Sequence, residues 1–497
     1  MLSRRRTHAF AARAAHAIAF DAVKHSNLFV AFVFSLTLAA SARADVKLPA
    51  IFGDHMVVQR AAKFPVWGTA APDEAVTVKA AGQEQSGKAD AKGNWRVELP
   101  PIESKDPIEI TVSGKNSIVL HDVLVGEVWL CAGQSNMVFP LARASTADEA
   151  LKAADRPKMR FFKVGRAIKD QPQTELAGGE WVVCTPQTAR AYTAVGYFMG
   201  AELQDKLNVP VGLIESDWGG TRAEAWIPRE TFDALKLPYE PEWTEQWLRP
   251  KQNPKAKTPE PARPHEAPAV LYNGMVAPYA GYAIRGVVWY QGETNTAYPA
   301  DYERVLGALV TSWRAAWKQG DFPFLVVQLP NFIGKSRDWA TLRASQAKVA
   351  KDLPNVGLAV TIDLGTPDNI HPTNKQPVGH RLALIAQKMA YGQDVACSGP
   401  TFKSLAVNGS EATVTFDHVD DGLVARGGEV LGFEVAGEDG KFVPATGKIK
   451  GATVIVQADG VSSPKAVRYA WANDPKCTLY NTIDLPAAPF TTAVAPR

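Results

Sequence analysis

Cysteine is scarce in this sequence. The four that occur in 497 residues, Cys131, Cys184, Cys397 and Cys477, stand far apart in no Cys-x-x-Cys pattern, which disfavours a zinc site. An excess of either charge is also missing. With 54 Lys and Arg against 51 Asp and Glu, the formal net charge is +3, and no cationic cluster interleaves with aromatic residues after the amino terminus, so nucleic acid is not an expected partner. Nor does any segment after residue 44 supply the roughly 20 apolar residues that a membrane-spanning helix needs. Hydrophobic residues at 46% and charged residues at 21% are those of a globular protein without bias toward disorder.

What is present begins with an address. Arg4-Arg5-Arg6, Arg13 and Lys24 precede the apolar stretch Leu28–Ala40, which is followed by Ala42-Arg43-Ala44. A basic region, a short apolar region and an A-x-A site together predict a secretory signal over residues 1–44, cleaved after Ala44. The mature chain is then expected to work in the periplasm or outside the cell, with no membrane attachment, where cysteines can pair. Cys131, at the end of an apolar strand, is expected to be a buried thiol. Cys397 and Cys477, which flank one C-terminal segment, are the expected bridge.

The length suits two to four domains, at roughly 100–200 residues each. Residues 45–118 alternate apolar and polar positions in short runs such as Val76–Lys79 and Trp95–Leu99, predicting an N-terminal β domain. From residue 119 to 395 apolar strands (Glu127–Leu130, Val211–Glu215, Gly286–Tyr290, Phe324–Gln328, Gly357–Ile362) alternate with helical stretches (Ala194–Leu207, Asp301–Lys318, Ala340–Lys351, Lys375–Ala390). That rhythm predicts an α/β domain with a parallel sheet covered on both faces. Pro238–Pro268, with eight prolines, reads as a loop insertion in this domain, either a surface excursion or a rim over the site. Residues 396–497 return to a β pattern and predict a third, β-rich domain.

Ligands of parallel α/β sheets gather at the carboxyl ends of the strands, and four such ends carry polar residues. They are Gly133-Gln134-Ser135-Asn136-Met137, Ser216–Arg222, Gln291-Gly292-Glu293-Thr294-Asn295 and Asp363–Pro372. Together they supply the parts of an acyl-transfer site. Ser135 is the candidate nucleophile, which needs a base; His371 has the right intrinsic pKa. Asp368, or alternatively Asp363, is placed to orient the imidazole. The backbone N–H of Ser135, a backbone N–H at Gly219 or Gly220 and the side-chain amide of Gln291 are the candidate oxyanion donors. Each residue also has an ordinary reading: Ser135 as a helix cap, Asp368 and Asn369 as turn formers, Gly219-Gly220 as a flexible turn, Arg222 and Glu224 as a solvent pair. Four ordinary readings must then hold at successive strand ends, where one esterase reading covers them all.

These blocks, together with Leu48–Gln59, Leu271–Met275 and Val467–Trp471, resemble those of the sialate O-acetylesterase family, a branch of the SGNH hydrolases. The resemblance spans most of the mature chain. It implies Ser135 as nucleophile, Asp368 and His371 as its triad partners, and a three-layer α/β/α (flavodoxin-like) catalytic domain with accessory β domains. It implies no metal or cofactor. Gln134, Arg222 and Glu293 join the oxyanion and substrate-binding candidates, Glu293 either on the sugar or bracing Arg222. Two departures from wider patterns stand out. Met137 takes the place of the second Gly of a Gly-x-Ser-x-Gly elbow, and Gln291-Gly292-Glu293 stands where the superfamily usually has an asparagine. The substrate implied is an O-acetylated sugar: sialate, if Arg222 meets its carboxylate, or a neutral polymer such as acetylated xylan, if Trp226, Trp243 and Trp247 line a groove. A non-catalytic carbohydrate-binding protein is the rival from another class.

Overall fold

The computed structural model describes residues 45–238, 263–334 and 337–493. The expected signal at 1–44, Trp243, Trp247 and most of the proline-rich segment lie outside the described residues. No helix among the described residues is long and apolar enough to cross a membrane.

Six parallel strands organise the centre. Across the sheet they run Val356–Ala359, Phe324–Val327, Gly286–Tyr290, Ser117–Gly133, Val211–Asp217 and Arg156–Lys163, with Trp181–Cys184 antiparallel at the edge. Every residue of Val211–Asp217, Gly286–Tyr290 and Phe324–Val327 is buried, so both faces of these strands are covered, and the continuous apolar composition of Gly286–Tyr290 and Phe324–Val327 is what the position demands. The helices pack in pairs, Ala194–Leu207 with Gln376–Tyr391 and Tyr302–Trp317 with Trp339–Asp352. Their ends are chemically marked: Thr193 and Asp338 cap two N-termini by accepting from Gly196 N and Thr341 N, and Gly392 (φ 63°) ends Gln376–Tyr391.

Strand order positions the site. The first parallel strand in the chain is central, the next two lie to one side of it and the last three to the other. The chain therefore reverses its direction of progress at Ser117–Gly133, and the loops leaving that strand and its neighbours open a crevice at their carboxyl ends.

The Ser117–Gly133 strand also joins two regions. Its first half pairs antiparallel with Ile108–Ser113 and its second half enters the parallel sheet. The position 118/119 thus falls inside a strand, and one apolar cluster runs from Val46 to Ala386 without a break there. A second cluster, from Val360 to Ala487, belongs largely to the antiparallel C-terminal strands.

The cysteines depart from expectation in one respect. All four are free thiols. Cys397 packs against the first cluster and Cys477 against the second, so the expected bridge between them is not formed. Cys131 is buried as expected, and burial beside Glu215 and Asp217 holds its thiol well above the usual range.

Candidate active site

The nucleophile turn is shaped by its first residue. Gly133 has φ 144°, a value in the range that L side chains rarely adopt, and it lets the strand end turn at once into the short helix Ser135–Val138. Hydrogen bonds stitch this turn to both neighbours: Gln134 N donates to Tyr290 O at 3.0 Å and Trp218 N to Gly133 O at 3.1 Å. Gly219 packs directly on the serine, since a Cβ built there would stand 3.4 Å from Ser135 Cβ.

A cavity of about 700 Å³ opens over this turn, and Gln134, Ser135, Gly220, Glu293, Asp368 and His371 all reach its wall. Phe332, Ile333, Trp339, Pro367 and Ile370 add apolar surface, and Arg337 adds a cation. His371 sits on a loop whose backbone is fixed locally by an Asx turn, its N–H donating to Asn369 Oδ1 at 2.9 Å. Partial burial, then the nearby Lys375 and Arg143 cations, hold its imidazole pKa below the ordinary 6.5. No hydrogen bond among the described residues links the imidazole to Ser135 Oγ or to the Asp368 carboxylate. Asp363 is committed elsewhere, gripped by Arg381 at 2.7 and 2.8 Å and by Tyr480 at 3.2 Å.

Several expected site groups turn out to be occupied with holding loops together. Gln291 is fully buried and spends its amide protons on Thr221 O (3.1 Å) and Asn295 Oδ1 (2.7 Å); it is not among the residues of the cavity wall. The Gln134 carboxamide oxygen accepts from Gly292 N at 3.4 Å and Thr294 N at 3.3 Å. Arg222 pairs with Glu266 at 3.4 Å and lies over Tyr298, outside the cavity wall, while Glu224 binds Asn295 Nδ2 at 2.9 Å through both oxygens. Glu293 accepts from Asn136, not from Arg222. Its burial raises its pKa, and its Oε2 has no hydrogen-bond partner among the described residues. Trp226 is wholly buried in the core and lines no groove.

Three residues that sequence reasoning did not single out matter here: Arg337, Asn136 and Lys375. Arg337 lies in an aperiodic loop and carries no local signal. Asn136 reads as one more polar residue of the strand-end block and Lys375 as the charged start of a helix; only their burial, 0% exposed in both, distinguishes them. Among the described residues no group of three or more His, Cys, Asp or Glu side chains is arranged to hold a metal ion.

Comparison with known proteins places the chain among carbohydrate esterases. The family model described as carbohydrate esterase, sialic acid-specific acetylesterase matches residues 125–388. The sialate O-acetylesterase of Rattus norvegicus is 30% identical, the alignment covering 89% of this chain and 94% of the relative. That of Mus musculus is 29% identical, over 93% and 96%. The crystal structure of a carbohydrate acetylesterase from Xanthomonas citri superposes with a TM-score of 0.82 at 40% identity, covering 90% of this chain and 100% of that one.

Proposed function

Because the chain belongs to the sialic acid-specific acetylesterase family of carbohydrate esterases and is therefore an esterase, we propose that it removes acetyl groups from sugar hydroxyls through an acetyl-enzyme on Ser135. The observation that carries this reading is the meeting of Ser135, Asp368 and His371 on the wall of one cavity, at the point where the sheet reverses its order. His371 takes the hydroxyl proton as Ser135 Oγ attacks the acetyl carbonyl. The developing oxyanion is held by the backbone N–H of Ser135 and one from Gly219 or Gly220, preorganised donors that need no movement at the moment of reaction. His371 then returns the proton to the departing sugar oxygen, and water, deprotonated by the same imidazole, cleaves the acetyl-serine. Asp368 orients the imidazole, its hydrogen bond closing as substrate fills the cavity; catalytic hydrogen bonds are commonly long before substrate arrives. Labelling of Ser135 by a fluorophosphonate tests the reading directly, and a protein that stays unlabelled removes Ser135 from the role of nucleophile.

The pH profile follows from the imidazole. A base must be neutral to act, and burial with two neighbouring cations lowers the pKa of His371. The acid limb of kcat/KM for 4-nitrophenyl acetate should therefore have its midpoint below pH 6.5, the ordinary imidazole value. A midpoint at or above that value removes His371 in its described setting from the role of base.

The preferred sugar under this reading is a sialic acid. Arg337 is the feature that favours it over a neutral polysaccharide: one guanidinium nitrogen is anchored on Glu293 O (2.8 Å) and Thr296 Oγ1 (3.3 Å), which fixes a cation at the cavity wall where a sugar carboxylate can meet it. Charge-assisted hydrogen bonds are worth about 1.5–3 kcal/mol, so Arg337→Ala should raise KM for 9-O-acetyl sialate by roughly 10- to 100-fold and leave 4-nitrophenyl acetate nearly unchanged. Equal KM values for the sialate in parent and variant would leave the carboxylate without this partner, and faster release from acetylated xylan would favour the neutral polymer. Export by the N-terminal signal and a three-layer SGNH catalytic domain with accessory β regions on either side complete the proposal.

A further inference from the structure

Behind the serine lies a chain of buried polar groups that the reaction as written does not use. Asn136 donates through Nδ2 to Glu293 Oε1 at 2.5 Å and to the carbonyl of Ile370, the residue before His371, at 3.0 Å. Its Oδ1 accepts from Lys375 Nζ at 2.5 Å. The Lys375 ammonium also faces the rings of Phe139 and Tyr290, at 5.0 and 5.1 Å from their centroids. Three loops contribute one member each: Asn136 from the nucleophile turn, Glu293 from the loop after Gly286–Tyr290, and Lys375 from the start of the helix that follows His371.

Such an arrangement is costly. Removing an ammonium and a carboxylate from water costs several kcal/mol per ion, and apolar residues of the same volume often do as well for stability. Burial pulls the Lys375 ammonium down to about 7 and pushes the Glu293 carboxyl up. What apolar filling would not provide is direction: a carboxamide fixed at both ends can hold two loops in only one register. Asn136 is fixed in this way, and one of its bonds ends on the residue next to His371.

We propose that Lys375 and Glu293, joined through Asn136, form a positioning device that holds the loop bearing His371 in register with the turn bearing Ser135. Neither Lys375 nor Asn136 touches substrate; both act through the placement of the base. The inference rests on the Ser135–His371 reading, and the test separates the two.

Lys375→Met and Asn136→Ala are compared with the parent on 4-nitrophenyl acetate, each first checked for an unchanged near-ultraviolet circular dichroism spectrum. Misplacing a catalytic group by about 1 Å can cost 100-fold, so kcat should fall by roughly 10- to 100-fold in both, with KM within about twofold. The pH profiles should differ. His371 is faced by the cations Lys375 and Arg143, Asp368 lines the same cavity, and Lys375 is itself faced by Glu293. Lys375→Met removes one of the two cations, so the His371 pKa rises and the acid limb moves to higher pH. Asn136→Ala leaves both charges, so its limb stays while kcat falls, a split that general loosening of the fold would not produce. Parental kcat in either folded variant overturns the proposal, and if Lys375→Met is not recovered folded, Asn136→Ala decides it alone. Full activity in Ser135→Ala would instead overturn the reading beneath it.

Discussion

Replacing Ser135 with alanine should lower kcat/KM for an acetyl ester by about 10³- to 10⁶-fold, the range over which removal of a triad nucleophile acts. The hydroxyl oxygen is the only heavy atom lost, and this Oγ makes no hydrogen bond among the described residues, so the melting temperature should stay close to that of the parent. That separation of activity from stability is what marks a chemical role. His371→Ala should fall to a similar floor, and the double variant should fall no further, because nucleophile and base act as a unit and their effects are not additive. The residual rate belongs to the donors around Gly219 and to binding. Mass spectrometry of the parent during turnover should find one acetyl group on the peptide containing Ser135, absent from the alanine variant. A Ser135→Ala enzyme within tenfold of the parent would transfer the chemistry to another residue.

The parallel sheet was legible where burial on both faces leaves a strand no choice of composition. Gly-Val-Val-Trp-Tyr and Phe-Leu-Val-Val are such strands, and both are found within the predicted spans. Ala194–Leu207 is bounded as predicted, since its Thr193 cap and its left-handed Asn208 are both local signals. Arg156–Lys163 was not anticipated, and its pattern explains why. Lys158, Arg160 and Lys163 interrupt its apolar residues, and only Met159–Phe162 is buried throughout. Strand Ser117–Gly133 was read from its buried half alone, because its first residues are partly exposed and belong to a different pairing.

The site divides along the same line. That Ser135, Asp368 and His371 belong to one cavity was inferable from strand ends, since topology gathers the loops that leave those ends, although Asp368 and His371 stand well beyond the end of Val356–Ala359. Which polar residues point into the cavity was not, because that depends on partners distant in sequence. Gln291 looks like a free donor until Thr221 and Asn295 claim its amide. Arg222 looks like the sugar's cation until Glu266 claims it, 44 positions along the chain. Sequence reports which groups reach the rim; their mutual hydrogen bonds decide which remain available to a substrate.

Gly133→Ala should damage both stability and activity, and the comparison that shows why is Gly82→Ala. Both glycines have positive φ, 144° and 78°, so alanine at either meets backbone strain of about 1–2 kcal/mol. Around Gly82 nothing lies within 4 Å of an added Cβ, whereas at Gly133 it would stand 2.1 Å from the carbonyl oxygen of Tyr290. That oxygen accepts the hydrogen bond from Gln134 N, so it cannot withdraw without releasing the turn that presents Ser135. Gly82→Ala should lose only the strain and keep full kcat. Gly133→Ala should unfold at clearly lower temperature than Gly82→Ala and lose about 100-fold or more in kcat, because a nucleophile displaced by about 1 Å no longer meets its base and its oxyanion donors. Calorimetry and 4-nitrophenyl acetate kinetics on the two variants make the measurement. Equal melting temperatures with undiminished kcat at position 133 would mean that the strand end is free to relax, and that the placement of Ser135 does not depend on the contact between Gly133 and Tyr290.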